Sequence, residues 1–111
     1  MRAERDLDAI ILRLTGEFDL ECEERFQAEL QTALSDPAAM LVLDLRGLGF
    51  IDSTGLRVLV QIDGLAHSDG FEFVILSGDG HVGRVLRGTG LDRALSVVGR
   101  AGAVPTSRSR V

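Results

Sequence analysis

Leu41-Val42-Leu43-Asp44-Leu45-Arg46-Gly47-Leu48-Gly49-Phe50-Ile51-Asp52-Ser53-Thr54-Gly55-Leu56 is the stretch that decides the fold. From Met40 to Leu45 it is nearly continuous in apolar residues instead of alternating, the habit of a strand covered on both faces in a parallel sheet. The spacing predicts a strand ending at Leu45, then a short loop bearing Gly47 and Gly49, then a helix beginning at Asp52 or Ser53. A helix start leaves backbone N–H groups unpaired and carries the positive end of the dipole. Asp52, Ser53 and Thr54 are all competent caps, so an ordinary N-cap accounts for one of them. Three in a row exceed that need, and the same geometry accommodates a phosphate on the Ser53 hydroxyl without unwinding the helix.

Outward from this stretch the pattern repeats. Phe71 to Leu76 reads as a second buried strand and Ala9 to Leu14 as a third, with Gly16 to Asp19 as a loop. Asp19 is placed to cap a helix over Leu20–Leu34, in which Cys22, Phe26, Leu30, Ala33 and Leu34 recur at helical spacing. Glu21, Glu23 and Glu24 fall in its first turn, where the dipole favours anions, and Asp36-Pro37 ends it. Val58, Leu59, Ile62, Leu65 and Ala66 form the core stripe of the helix after Ser53. At 100° per residue, Leu56 and Val60 fall on its other side, beside Arg57 and Gly64. A third helix is predicted from about His81 to Arg87, a last strand near Ala94 to Val98, and a short edge strand over Met1–Arg5. Strands alternating with helices indicate an α/β domain with right-handed crossovers over residues 1–99. Residues 100–111 lack periodicity and read as a flexible C-terminal tail.

Composition narrows the function. A chain of 111 residues, 45% hydrophobic and 26% charged, fits one module. The net charge of −5 and a pI near 4.9 argue against nucleic acid as partner, since a phosphate backbone is bound by clustered cations. All twelve cations are arginine. Lysine-dependent chemistry is therefore excluded: Walker-type phosphate loops, Schiff-base enzymes and lysine-dependent phosphoryl receivers. One cysteine, Cys22, allows no internal disulfide and favours a reducing compartment. Met1 to Asp8 alternates charges and resembles neither a signal peptide nor a membrane span. The expected location is the cytoplasm.

Other candidate sites have ordinary explanations. Gly78-Asp79-Gly80-His81-Val82-Gly83 matches the dinucleotide fingerprint in letters, but the ribose-binding acid about 20 residues on is missing, since no acid follows Asp92. A glycine-rich turn between strand and helix explains it better. Cys22 lies in an apolar stripe and reads as a small buried hydrophobe. His67 and His81 have no metal-ligand spacing and read as exposed helix-end residues. No cofactor or metal is expected, and no G-x-S-x-G elbow is present.

Phe50-Ile51-Asp52-Ser53-Thr54-Gly55-Leu56 after an apolar strand resembles the signature of STAS domains, specifically the bacterial anti-sigma factor antagonists. Leu14-Thr15-Gly16-Glu17-Phe18-Asp19 and Arg84-Val85-Leu86-Arg87-Gly88-Thr89-Gly90-Leu91-Asp92 resemble two further stretches of that family, so the likeness covers about residues 9 to 98. It implies a mixed, mostly parallel sheet flanked by helices, and a binding switch with no catalytic activity. The serine matching Ser53 would be phosphorylated by an anti-sigma factor that is also a serine kinase. The unphosphorylated form would bind that kinase and free the sigma factor, and a serine phosphatase would reset the switch. Asp19 matches an acidic residue near the serine. The surface expected to meet the partner is Asp19, Phe50, Asp52, Thr54, Gly55, Leu56, Arg57 and Val60. The family's final helix has no counterpart in Arg100 to Val111, which leaves one sheet face thinly covered. Two alternatives stay open: a STAS-domain binding subunit of a lipid-transport or stress-sensing assembly with an unmodified serine, and, more distantly, a nucleotide-binding α/β protein using Gly78 to Gly83.

Overall fold

The computed structural model describes residues 2–18, 20–35 and 39–98. The expected tail over 100–111 and the side chains of Asp19 and Cys22 lie outside the described residues. Among the described residues five strands form one sheet in sequential order, β1 (Arg2–Asp6), β2 (Ala9–Phe18), β3 (Met40–Ile51), β4 (Glu72–Leu76) and β5 (Val97–Val98). β1 pairs antiparallel with β2 through a two-residue turn at Leu7-Asp8, and the remaining pairs are parallel. Between them run α1 (Leu20–Leu34), α2 (Ser53–Asp69), α3 (His81–Thr89) and the single turn α4 (Leu91–Ala94). The mixed, mostly parallel sheet flanked by helices is the architecture expected from the sequence, with Arg2–Asp6 as the edge strand.

Consecutive parallel strands laid side by side with right-handed crossovers put every connecting helix on one face. The core obeys this. Ile10, Leu12, Leu41, Leu43, Leu45, Phe73 and Ile75 from the strands meet Phe26 and Leu30 of α1, Val58, Leu59 and Ile62 of α2, and Val82 and Leu86 of α3 in one cluster. Phe18 at the end of β2 packs edge-on against Phe26, with ring centroids 5.0 Å apart. The alternate strand residues Met40, Val42, Val74 and Leu76 form a separate cluster on the opposite face.

Four expectations need correction. The stretch Gly16–Phe18 is strand rather than loop, and β3 does not end at Leu45 but continues to Ile51. β2 and β3 stay paired past the end of β4, through Thr15↔Gly47 to Phe18↔Ile51, with two irregularities in register. Gly47 is there for close approach, not turning: a Cβ on it would lie 2.9 Å from Thr15 Cγ2 and 3.1 Å from the Leu14 carbonyl oxygen. Leu65, assigned to the core stripe, is 42% exposed, because the buried side of α2 is made by Gly55, Val58, Leu59, Ile62 and Ala66. β5 is shorter than the predicted Ala94–Val98, since Leu91–Ala94 coils into α4.

Candidate functional site

The extension of β2 and β3 beyond β4 delivers Ser53 to one end of the sheet. At Asp52 the chain leaves the strand, held by its N–H to the Phe18 carbonyl at 3.4 Å. The Asp52 backbone is extended, and its Oδ1 accepts from the Gly55 N–H at 3.1 Å. Asp52 is therefore the N-cap of α2, which leaves Ser53 as the first helical residue, exposed to solvent. The amides of Ser53 and Thr54 have no partner within the helix at this end. Gly70 closes the other end in the left-handed region, with its N–H on the Ala66 carbonyl at 2.9 Å.

The expected partner-contacting residues divide by position. Phe50, 41% exposed, precedes Ser53 by three residues, and Val60, 48% exposed, stands on the same helical stripe about 10 Å along. Arg57 lies between them and reaches Glu23 of α1 at 3.4 Å, tying the two helices together at the surface. Thr54 is half-buried, about 100° round the helix from Ser53. Leu56, expected to point away from the core, is half-buried and packs against it. Gly55 faces inward: a Cβ there would sit 2.5 Å from Ile51 Cγ1 and 3.1 Å from Phe18 Cδ1. Its place in the motif is explained by helix–sheet packing.

His81 was expected to be an exposed helix end, and the structure places it otherwise. Its ring stacks on Phe50, centroids 5.5 Å apart at 12°, and its Nε2 is buried with no hydrogen-bond partner among the described residues. The start of α3 thus touches the end of β3 beside Ser53, a contact between residues thirty-one apart that no local pattern announces. His67 is exposed as expected, donating through Nδ1 to the Asp63 carbonyl at 2.8 Å. The glycine run Gly78 to Gly83 is the strand-to-helix turn: Gly78 has φ 70°, and a Cβ on Gly83 would lie 2.4 Å from the Gly78 carbonyl oxygen.

A second charged feature escaped the sequence reading. Asp44 sits on the face opposite the helices, 4% exposed, and takes both Nε and Nη2 of Arg46 at 2.9 and 2.8 Å, with the Arg46 amide at 3.1 Å. Arg13 adds a longer contact at 3.5 Å and also pairs with Glu4. The Arg46 side-chain hydrogen bonds hold the Asp44 carboxyl below its ordinary range, against the upward push of burial. Its bonding is complete, so it reads as structural. Among the described residues no group of three or more His, Cys, Asp or Glu side chains is placed to hold a metal, and no helix is long and apolar enough to cross a membrane.

The family model described as Mlab, STAS domain, matches residues 1–99. Among solved structures, a Thermotoga maritima protein assigned as an anti-sigma factor antagonist is 27% identical, with a TM-score of 0.81 over 91% of this chain and 87% of that one. The anti-sigma factor antagonist SpoIIAA in its unphosphorylated form superposes with a TM-score of 0.77 at 20% identity, over 99% of this chain and 97% of that one. An anti-sigma factor antagonist of Mycobacterium paratuberculosis gives 0.76 at 20% identity, over 91% and 86%. The chain belongs to the STAS-domain family and has the fold of the anti-sigma factor antagonists.

Proposed function

We propose that this protein is an anti-sigma factor antagonist, a cytoplasmic binding switch without catalytic activity of its own, whose phosphorylated residue is Ser53. The observation that carries the reading is the position of that serine: exposed, first in α2, directly after the Asp52 cap and flanked by the exposed apolar side chains of Phe50 and Val60. In its unphosphorylated form the protein binds an anti-sigma factor serine kinase and so frees the sigma factor; a serine phosphatase resets the switch. Phe50, Arg57 and Val60 supply the contact around Ser53, with Asp52, Thr54, Gly55 and Leu56 shaping the helix start.

The physics of the switch is local. Phosphate on Ser53 adds about −1.5 to −2 charges where the helix dipole and the unpaired N–H groups tolerate them, so the fold survives. A partner docking over the apolar side chains must strip water from that dianion and from Asp52 beside it. The cost is several kcal/mol, against about 8 kcal/mol for a whole micromolar complex. Phosphorylation therefore releases the partner.

Wild type, Ser53→Ala and Thr54→Ala, each incubated with ATP and purified candidate kinases, are to be compared by mass spectrometry and by kinase binding. Label on Ser53, lost in Ser53→Ala and kept in Thr54→Ala, with weaker binding by the phosphorylated protein, is the expected result. Label persisting in Ser53→Ala, or undiminished binding after phosphorylation, would overturn the reading. Partner binding with no label on any residue turns it toward a binding subunit whose serine is unmodified.

A further inference from the structure

Phe50 stands on the part of β3 that runs past Asp44, the last β3 residue paired with β4, so among the described residues no strand flanks it on that side. An aromatic side chain in such a place turns about two side-chain bonds in water, and a partner that seats it must halt that turning. Where the missing strand would be, the start of α3 comes in. His81 is the first residue of that helix, after Gly80 as N-cap. The helix start is anchored on both sides. Val82 and Leu86 are 1 and 0% exposed in the larger core cluster, and Gly78 turns in the left-handed region with Gly83 too close to its carbonyl oxygen for any Cβ. The His81 ring therefore projects from a fixed point, and it lies nearly parallel to the Phe50 ring, at 12° with centroids 5.5 Å apart. Its Nε2 makes no hydrogen bond among the described residues, so no polar partner of that nitrogen accounts for where the ring sits. The contact uses His81 as a flat surface. Phe50 is still 41% exposed, backed by one ring and open elsewhere beside Ser53.

We propose that His81 is a positioning residue of the partner-binding surface: it backs the Phe50 ring and holds it in the orientation that the anti-sigma factor kinase seats. The inference rests on the reading of Ser53 and Phe50 given above, and extends the switch to the start of α3, which the signature around Ser53 does not reach. His81 acts through Phe50. A ring already held against a neighbour has less freedom left to lose on docking, so the same contact yields a tighter complex. Since the stack asks only for a flat ring on an anchored helix start, phenylalanine at position 81 should serve it as well as histidine. Alanine should release Phe50 while leaving Ser53, the Asp52 cap and the helix start of α2 as they are.

The test uses the full chain and the kinase that labels Ser53 in wild type, and compares His81→Ala, His81→Phe, Phe50→Ala and the Phe50→Ala/His81→Ala double variant by calorimetric binding and by phosphorylation kinetics. His81→Ala is expected to raise both the Kd and the KM about three- to tenfold. Its kcat should stay within about twofold of wild type, because the loss is in binding and not in the chemistry at Ser53. His81→Phe should restore the wild-type values. The double variant should bind no more weakly than Phe50→Ala alone, the signature of a residue that works through its neighbour. Unchanged affinity in a folded His81→Ala, failure of phenylalanine to restore it, or losses that simply add would each overturn the proposal. In the unaltered protein, nuclear Overhauser contacts are expected between the ring protons of Phe50 and His81, and their absence would overturn it even where the alanine variant misfolds. The two readings fail separately. Label on Ser53 with His81→Ala binding as wild type sinks this inference alone, whereas a wild-type Ser53 that no kinase labels sinks the functional reading and this one with it.

Discussion

Residues Met40–Leu45 and residues Arg46–Ile51 form one strand, and their environments are opposite. In the first half every residue is buried, sandwiched between β2 and β4 with an apolar cluster on each face. In the second half only Leu48 and Ile51 are buried; β4 has ended, and the strand runs on with β2 alone toward Ser53. The first half is held from both sides and fixes the sheet. The second half pairs with a strand on one side only, and with β4 gone its end meets only the start of α3, where His81 stacks on Phe50, so Phe50 stays partly exposed beside the start of α2. A site at the carboxyl end of the central strands is where an α/β sheet offers room for a partner.

The largest test strikes the first half. Leu43→Ala removes a fully buried side chain from the middle of the larger cluster and is expected to cost about 2–5 kcal/mol in denaturant unfolding. A loss below 1 kcal/mol would mean that the two halves differ less than their burial says.

Gly55→Ala probes the seam where the second half meets α2. The added methyl must push back Ile51 and Phe18, and overpacking of this kind is expected to cost about 1–3 kcal/mol. Neutral stability would show that the second half yields easily and is not held by α2.

Asp44→Asn, at the junction of the halves, should cost about 1–3 kcal/mol near neutral pH through the weakened bonds to Arg46. The sign of its pH dependence follows from a folded pKa below the ordinary value of 3.8. Stability from this carboxylate is fully present above that value and is lost as pH falls below it toward the lower folded pKa. The gap between wild type and Asp44→Asn should therefore be constant from pH 7 to about 5 and shrink below about pH 4. A constant gap down to pH 2 by chemical denaturation would remove the ion pair from the account.

The smallest effect on the fold belongs to Val60→Asp, exposed on the same stripe as Ser53. It is expected to change stability by only a few tenths of a kcal/mol while weakening binding of a kinase that phosphorylates Ser53, as calorimetry would show. Unchanged affinity would confine the contact to the Phe50 side.

The sequence was most readable where one requirement dominated. Met40–Leu45 and Glu72–Leu76 announce buried strands because both faces demand apolar residues. The start of α2 was legible because Asp52, Ser53 and Thr54, all good caps, stand directly before the helical stripe of Val58, Leu59, Ile62 and Ala66. Legibility failed where two requirements competed. Gly47 and Gly49 carry the chemistry of turns, yet Gly47 serves close contact with β2, so the extension of β3 looked like a loop. Leu65 keeps helical period with the core residues but sits just off the buried arc. The Asp44–Arg46 pair and the Phe50–His81 stack depend on which strand face a residue occupies and on the meeting of distant elements. No residue pattern along the chain encodes either directly.

The sequential order of the five strands has a consequence for how the molecule is made. Each strand emerging during synthesis adds to the growing edge beside the one before it, and no later strand must be inserted between two already paired. Domains generally assemble in the order in which synthesis releases them. β1, β2 and the first half of β3 can therefore pair while the remainder is still being translated. The entry to α2 is then presented on a partly built sheet, and β4 and β5 complete an edge whose other side is already in place.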